Sequence, residues 1–338
     1  MSKYHIYGIG AALVDTEIEV TDSDLSNSNI EKGVMTLVDE ARQVELMALL
    51  DDHLVASKRA SGGSAANTII AASYFGANNF YSCKVANDDN GWFYLNDIKQ
   101  AGVDTPSHSG EAEGTTGKCL VMITPDAERT MNTFLGISET VSVDDIDVEA
   151  LKNSEYAYIE GYLVTSETGR AAAIELRKQA KAHGVKTAVS LSDPAMVQFF
   201  RDGLKEIIGD KVDLLFCNAD EAMGFTDTEN LDDAIKALLE HTEQFVITLG
   251  KDGAIVYDGK IQYPIAGDEV KAIDTNGAGD MFAGAFLYGI THGLAFEDAG
   301  ILASVSAAKV VSQYGPRLAP EDHQALLDLV VFSNEDEE

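Results

Sequence analysis

The chain has 338 residues and 45% of them are hydrophobic, which suits one large α/β domain with an appendage. Its 56 acidic and 24 basic residues give a formal net charge of -32. A surface this negative repels nucleic acids and anionic lipids, so we expect neither as a partner. We interpret the acidity as an adaptation of solubility, with attraction to a cationic macromolecule as the less favoured alternative.

The cysteines and the apolar runs indicate the cellular compartment in which the protein is expected. Cys83, Cys119 and Cys217 lie far apart in apolar runs, and their odd number argues against a disulfide framework. We predict three buried thiols. No apolar run approaches the roughly 20 residues that span a bilayer, and no long apolar segment follows Met1. We therefore expect a cytoplasmic protein that has no membrane partner.

The sequence of the N-terminal part predicts three regular elements and two strand-like stretches that stand apart from the core, which we call excursions. The regular elements are a strand at Tyr4–Gly8 and helices at Ser64–Phe75 and Gly91–Gln100. The excursions alternate polar and apolar residues as exposed strands do, at Asp15–Val20 with a continuation to about Val38, and at Thr115–Ile123 with Arg129–Leu135. If the two excursions pair, they form a small sheet that acts as a lid over the main sheet.

From about residue 155, short apolar runs alternate with amphipathic stretches, a pattern typical of βαβ units and a parallel sheet. The predicted strands are Tyr156–Ile159, Val185–Val189, Val212–Cys217 and Gln244–Leu249. The predicted helices are Glu167–His183, Ala195–Ile208, Leu231–Glu240, Gly279–Thr291, Phe296–Ser312 and Glu321–Phe332.

The strongest chemical signal is the segment Asp274–Asp280, a Gly-Ala-Gly turn that runs into an apolar helix. Small residues there let backbone amides face a ligand, and the helix N-terminus adds partial positive charge. We predict an anion hole for a phosphoryl group, with Asp280 as the base that accepts the proton of an attacking hydroxyl. A tight turn followed by a simple helix cap is the alternative, and the full seven-residue pattern disfavours it.

A second segment, Ser61–Asn67, places two glycines before a helix. Gly62 and Gly63 permit close approach of a ligand to the backbone, and Asn67 can donate to and accept from a hydroxyl. Asp15 on the early strand could bind a vicinal diol. Each signal is weak alone, because Gly-Gly before a helix and a solvated strand aspartate are both common.

Four segments in this order resemble the ribokinase-like (PfkB) carbohydrate kinase family over nearly the whole chain. They are Gly62-Gly63 with Asn67, the N-x-x-E motif Asn218–Glu221, Thr248–Gly253 and Asp274–Asp280. The resemblance implies ATP-dependent phosphorylation of a hydroxyl on a sugar or nucleoside. It also implies a three-layer α/β/α Rossmann-like fold with a mostly parallel central sheet and a small β-sheet lid. On this basis we expect the core at residues 1–13, 39–106 and 137–333, the lid at 14–38 and 107–136, and a disordered acidic tail at 334–338.

The resemblance also implies roles for individual residues. Asp280 would be the catalytic base, and the amides of Gly277, Ala278 and Gly279 would form the anion hole. Asn218 and Glu221 would organise hydrated Mg²⁺ and the phosphates, with Glu221 acting through water. Thr248, Gly250 and Gly253 would lie along ATP, and Asp15, Gly62, Gly63 and Asn67 would hold the acceptor. Asp274 is a candidate ligand of a monovalent cation such as K⁺.

Arg129, in the second excursion, is our candidate for the cation that neutralises the γ-phosphate, and a surface charge is the alternative. The N-terminal part is most similar to the adenosine kinase subgroup. Leu13, Met35, Leu37 and Phe134 are candidates for an apolar base slot, or for ordinary lid core.

Adenosine, with transfer to its 5′-hydroxyl, is the first expected acceptor. Inosine or guanosine comes next, followed by a sugar such as ribose or fructose. Thr36 stands where a larger apolar residue would stack better on a purine, so the base stays open. A ligand-binding regulator without catalysis is disfavoured because Asp280 is present. The family resemblance is compatible with a monomer or a homodimer.

Overall fold

The computed structural model describes residues 3–54 and 58–335. In chain order the strands are β1 (Tyr4–Ile9), β2 (Leu13–Glu19), β3 (Met35–Leu37), β4 (Lys58–Gly62), β5 (Asn79–Ser82), β6 (Val103–Asp104), β7 (Thr116–Ile123), β8 (Arg129–Gly136), β9 (Ser154–Glu160), β10 (Lys186–Ser190), β11 (Val212–Asn218), β12 (Thr242–Thr248), β13 (Ala254–Tyr257) and β14 (Gln262–Ile265). The α-helices are α1 (Asp22–Asn27), α2 (Glu40–Leu49), α3 (Asp51–Leu54), α4 (Ser64–Phe75), α5 (Asp89–Gln100), α6 (Val148–Lys152), α7 (Glu167–His183), α8 (Pro194–Ile208), α9 (Ala219–Thr226), α10 (Leu231–Leu238), α11 (Ala278–Thr291), α12 (Phe296–Val311) and α13 (Pro320–Glu335).

Within the described ranges, the large sheet has nine strands in the order β14-β13-β12-β11-β10-β9-β1-β5-β6. The strands from β12 through β6 pair in parallel, and the hairpin β13–β14 adds an antiparallel edge. The predicted parallel sheet is therefore confirmed. The hairpin was not predicted, because its two short strands show no helix-strand alternation.

Both faces of the large sheet are covered by helices. Successive residues of β1 show this, since Ile6 packs in one buried cluster with side chains of α4, α11 and α12, and Tyr7 packs in the other with side chains of α7, α8 and α9. A parallel sheet buried on both faces explains why its strands are continuous apolar runs. The three-layer α/β/α architecture predicted from the family resemblance is confirmed.

The small sheet has the strand order β3-β8-β7-β2-β4 among the described residues. Strand β2 pairs in parallel with β7, and β3 with β8, so the two predicted excursions do combine into one sheet. The predicted continuation of the first excursion as a strand is confirmed at Met35–Leu37 and is wrong before it. Residues Asp22–Asn27 form helix α1, whose N-terminus is closed by a capping box between Thr21 and Asp24.

A segment in the range 39–62, which was predicted to belong to the core, also contacts the small sheet. Strand β4 pairs antiparallel with β2, joining Leu13 to Gly62, and Leu46 of α2 packs in the small-sheet cluster with Ile18. Residues of the range 39–62 therefore contact the small sheet, and the domain boundary at residue 39 stays a prediction. At the other end, α13 includes Asn334 and Glu335 of the predicted tail, and residues 336–338 lie outside the described residues.

Two further expectations concern thiols and membrane spans. Cys83, Cys119 and Cys217 are free and buried, as predicted. In the described part of the chain, no helix combines the length and apolar character needed to cross a bilayer.

The strand order places a crevice at the end of β1. In the large sheet, β5 and β6 lie on one side of β1, and the later strands from β9 onward lie on its other side, so the direction of strand addition reverses at β1. Open α/β sheets bind ligands at such switch points. The segment after β1 and the last residue of β9, Glu160, lie at this edge.

Candidate active site

The N-terminus of α11 forms the centre of the site. Gly277 caps the helix with φ of 76°, a left-handed conformation, and no side chain caps the first amides. A Cβ atom at Gly277 would lie 2.4 Å from the carbonyl oxygen of Pro316, whereas one at Gly279 would meet no atom within 4 Å. The helix therefore begins without a side-chain cap, and the space beside Gly279 is open, as an anion hole requires.

Asp280 lies in the first turn of α11, and both of its carboxylate oxygens are held by α4. Ser64 Oγ donates to Oδ1 at 2.6 Å, and Asn67 Nδ2 donates to Oδ2 at 3.1 Å. Burial raises the pKa of Asp280, and these two hydrogen bonds and Arg129 oppose the rise. The carboxylate is thus fixed in orientation and made more basic than a solvated aspartate.

Gly63 explains how α4 reaches this position. Its φ is 96°, and a Cβ atom there would lie 2.2 Å from the carbonyl oxygen of Ala11. Only glycine permits this turn and this close approach to the segment after β1. The turn directs the first residues of α4, including Ser64 and Asn67, at α11.

Two cavities meet at Asp280. We call the first the acceptor cavity, because the residues predicted to bind the acceptor line it, and the second the phosphate cavity. Both are lined by Ser64, Arg129, Ser192, Thr275, Ala278, Gly279 and Asp280. A group bound in one cavity can therefore reach a group bound in the other beside the uncapped helix.

Polar groups without protein partners point to ligand binding in the acceptor cavity. Oδ1 of Asn67 is buried and has no hydrogen-bond partner among the described residues. Asp15 is 5% exposed, and burial, followed by the charge of Glu17, raises its pKa well above the ordinary value. Gly62 does not line the cavity, but its missing side chain makes room for the carboxylate of Asp15, which would lie 1.9 Å from a Cβ atom.

The small sheet supplies an apolar wall to the acceptor cavity. The predicted residues Leu13, Met35 and Leu37 line it, together with Met131, Thr133, Leu135 and Cys119, which were not predicted. Phe134 was predicted to line the cavity and is not among its lining residues. Side chains of a strand alternate between faces, so β8 presents residues 129, 131, 133 and 135 to the cavity and Phe134 to the other face.

Arg129 is the cation that both cavities share. Its Nη1 lies 3.2 Å from the sulfur of Met131. Burial lowers the pKa of Arg129, but the nearby Tyr162, Asp193 and Asp280 side chains outweigh burial and raise it. The guanidinium is therefore held within the field of Asp280 and is not an isolated surface charge.

Asn218 and Glu221 line the phosphate cavity with Thr248. They form a capping box at the N-terminus of α9, in which Glu221 accepts from the amide of Asn218 at 3.1 Å and from its Nδ2 at 2.7 Å. Burial raises the pKa of Glu221 to about 7. No cluster of three or more metal-ligating side chains occurs among the described residues. A site with few carboxylates beside a phosphate cavity is compatible with a Mg²⁺ ion held mainly by water molecules and phosphate oxygens.

The two glycines predicted along ATP do not line the phosphate cavity. Gly250 is exposed after β12, and its role stays a prediction. Gly253 is buried with φ of 95°, and a Cβ atom there would lie 2.0 Å from the carbonyl oxygen of Ile265. Gly253 thus allows the backbone to pass close to β14, and its placement along ATP stays a prediction.

Asp274 is fully buried next to the anion hole. Its Oδ1 accepts from the amide of Asn276 at 2.8 Å, and its Oδ2 accepts from the amide of Gly315 at 2.9 Å. The carboxylate therefore holds the turn before α11 to the segment after α12. Cation binding by Asp274 stays a prediction.

Glu160 and Tyr162 were also missed by sequence reasoning. Glu160 is fully buried at the end of β9, where it accepts from the amides of Ala11 at 2.6 Å and Ala65 at 2.8 Å, and burial raises its pKa to about 7. Tyr162 follows it and lines the acceptor cavity. A glutamate that ends an otherwise apolar strand was the available signal.

Comparisons with known proteins agree with this geometry. The model of the pfkB family carbohydrate kinases matches residues 47–323. Adenosine kinase of Saccharomyces cerevisiae is 29% identical over 332 residues, which cover 93% of this chain and 96% of the yeast protein. The structure of adenosine kinase from Sinorhizobium meliloti is 33% identical, covers 96% of this chain and 100% of its own, and has a TM-score of 0.88. A probable sugar kinase from Rhizobium etli is 29% identical, with 98% and 100% covered and a TM-score of 0.90.

The fold and the matches define a kinase with the ribokinase-like architecture. The chain belongs to the pfkB family of carbohydrate kinases, because the family model matches well over half of its length.

Proposed function

We propose that the protein transfers the γ-phosphoryl group of ATP to a hydroxyl group of a neutral nucleoside, with the 5′-hydroxyl of adenosine as the first candidate. The observation that carries the proposal is the junction of the two cavities, where Asp280 lies beside the uncapped N-terminus of α11. An acceptor on one side and a triphosphate on the other would meet there.

Different residues at the junction carry out different parts of the proposed reaction. Asp280, oriented by Ser64 and Asn67, takes the proton of the attacking hydroxyl. The amides of Gly277, Ala278 and Gly279, with the guanidinium of Arg129, stabilise the charge on the transferring group. Asn218 and Glu221 would hold Mg²⁺ through water. When bound, Mg²⁺ neutralises phosphate charge.

The charges of the acceptor cavity favour a neutral acceptor. Asp15, Glu160 and Asp280 line it, and Arg129 is the cation beside them in the described lining. A sugar acid or sugar phosphate would add negative charge to this group, at a cost in a poorly solvated site. Hydroxyl groups instead donate hydrogen bonds to Asp15 and to the unpartnered Oδ1 of Asn67.

The apolar wall favours a nucleoside over a free sugar. Leu13, Met35, Met131 and Leu135 line the same cavity as Asp15, and Tyr162 adds one aromatic side chain. A planar base would cover this surface, whereas ribose alone would leave it in contact with water. Similarity to the two adenosine kinases supports adenosine, and similarity to the probable sugar kinase keeps ribose and fructose as the second candidate class.

An ADP-release assay with Mg·ATP tests the proposal against adenosine, inosine, guanosine, ribose, fructose and the anionic gluconate. We expect the highest kcat/KM with adenosine and no turnover above background with gluconate. A higher kcat/KM with a free sugar would refute the nucleoside assignment. Release of ADP at the background rate with every acceptor would refute the kinase assignment for this class of acceptors.

Replacing Asp15 with alanine is expected to raise the acceptor KM by about 10- to 100-fold, the usual cost of a hydrogen bond to a charged group. The ATP KM should stay unchanged, because Asp15 lines the acceptor cavity alone. Steady-state kinetics with each substrate varied in turn measure both constants. Asp22→Ala, at an exposed aspartate of α1, is the control. An unchanged acceptor KM in Asp15→Ala would remove this residue from the site.

Replacing Glu221 with glutamine is expected to raise the Mg²⁺ concentration for half-maximal activity by about 10-fold or more, the usual effect of losing a group that orients a metal site. Its carboxylate lies 5% exposed in the phosphate cavity. Titration of Mg²⁺ at saturating acceptor measures the shift, and Glu240→Gln at an exposed position is the control. Equal Mg²⁺ dependence in wild type and Glu221→Gln would contradict the assignment.

A further inference from the structure

A partly buried ion pair lies against the end of β4, next to Gly62 and Gly63. Both terminal nitrogens of Arg317 donate to Oδ2 of Asp97, at 3.1 and 3.2 Å, and the Arg317 side chain is 12% exposed. The same oxygen accepts from the amide of Ser61 at 3.2 Å and from its hydroxyl. Ser61 directly precedes Gly62 and Gly63. The ion pair is therefore hydrogen-bonded to the backbone segment that leads into the predicted acceptor site.

Helix α5 thereby holds the end of β4 at two points. Asp97 binds Ser61, and the hydroxyl of Tyr94 donates to the carbonyl oxygen of Gly62 at 3.0 Å. The carboxylate of Asp15 occupies the space that a side chain at Gly62 would fill. A displacement of this backbone would therefore displace the carboxylate as well.

The segment that carries Arg317 also contacts the anion hole. The amide of Gly315 donates to Asp274 at 2.9 Å, and Pro316 packs against Gly277, where no side chain would fit. One short segment after α12 thus contacts the turn that binds phosphate and, through Arg317, the strand that binds the acceptor.

Arg317 also contributes charge at Asp15. Burial and Glu17 raise the pKa of Asp15, whereas Arg317 lowers it. The titratable or charged groups that face Asp15 are Glu17 on β2, Cys119 on β7, Arg129 on β8, Asp280 on α11 and Arg317 after α12. Arg317 does not act on Asp280 in the same way, since Arg129 is the cation that lowers the pKa of Asp280.

We infer that Arg317 and Asp97 are positioning residues for acceptor binding, which hold the Ser61–Gly63 backbone in place and set positive charge beside the carboxylate of Asp15. The inference rests on the proposed function, in which Asp15 accepts hydrogen bonds from acceptor hydroxyls. Neither residue lines the acceptor cavity or the phosphate cavity, so both act through Ser61 and Asp15.

The test compares Arg317→Gln, Arg317→Lys and Asp97→Asn with Arg170→Gln, which removes an ion pair to Glu206 on the protein surface. We expect Arg317→Gln and Asp97→Asn to raise the acceptor KM about 10-fold or more, with kcat and the ATP KM nearly unchanged. Without the guanidinium, the pKa of Asp15 rises further, and in the proposed function the ionised carboxylate of Asp15 binds the acceptor hydroxyls. The acidic limb of kcat/KM for the acceptor should therefore move to higher pH in Arg317→Gln.

The matched variant separates charge from structure. Arg317→Lys keeps the positive charge, so the acidic limb of its pH profile of kcat/KM should stay at the wild-type position. The acidic limb of the pH profile of kcat should not move in any variant. Equal losses in acceptor and ATP KM, or an acidic limb that stays in place in Arg317→Gln, would overturn the inference. Absence of both turnover and calorimetric binding of adenosine by the wild type would instead overturn the proposed function and, with it, the inference.

Discussion

Replacing Asp280 with asparagine is expected to lower kcat by about 10²- to 10⁴-fold, the usual contribution of a general base. The carboxylate lies where the two cavities meet, and its only orienting hydrogen bonds in the described structure come from Ser64 and Asn67. Asparagine can still accept from Ser64, and its amide nitrogen can donate to the free Oδ1 of Asn67 after that side chain turns over. The substitution thus removes proton acceptance and leaves the packing of the site in place.

Steady-state kinetics with saturating ATP and adenosine measure this effect. The ATP KM should change little, because Asp280 acts on the acceptor hydroxyl. Asp232→Asn is a matched control, since Asp232 is an exposed aspartate in the first turn of α10 and lines neither cavity. Retention of more than about a tenth of the wild-type kcat in Asp280→Asn would contradict the role of base.

Replacing Arg129 with alanine is expected to lower kcat on the order of 10³-fold, the lower end of the effect of arginines that stabilise transferring phosphoryl groups. The guanidinium lines both cavities, so it can contact the group in transit. Its interaction strengthens as charge develops on that group, so kcat should fall more than the acceptor KM rises. Arg129→Lys should recover part of the loss, because lysine keeps the charge and loses the planar fork of donors.

Arg201→Ala provides the control for this arginine. Arg201 forms an ion pair with Asp227 at 3.0 Å on the surface, and its side chain is 38% exposed. The control should have wild-type kinetics, since exposed ion pairs contribute little. A rise in acceptor KM alone in Arg129→Ala, with kcat unchanged, would show that the arginine binds the acceptor without stabilising the transfer.

Local sequence signals predicted the backbone of the site well. Helices α4 and α7 have the predicted bounds, because glycines and a serine cap mark their ends in the sequence. The turn before α11 was predicted from its small residues alone. The capping box Thr21–Asp24 was an equally local signal for helix α1. It was overlooked because the segment was interpreted as a continued strand.

Features that depend on register or on distant contacts could not be predicted. The face to which Phe134 points depends on its pairing with Lys118, and a shift of one residue would have reversed it. Glu160 binds amides 149 and 95 positions away, and Arg317 binds Asp97 across 220 positions. Such contacts join segments that no local pattern relates.

The most direct test of the proposed function is identification of the product formed from Mg·ATP and adenosine by ³¹P nuclear magnetic resonance. We predict the appearance of ADP and of a monophosphate whose phosphorus couples to the two protons of the adenosine 5′-carbon, in equal amounts. Inorganic phosphate in place of a nucleoside monophosphate, or ATP and adenosine both left unchanged, would contradict it.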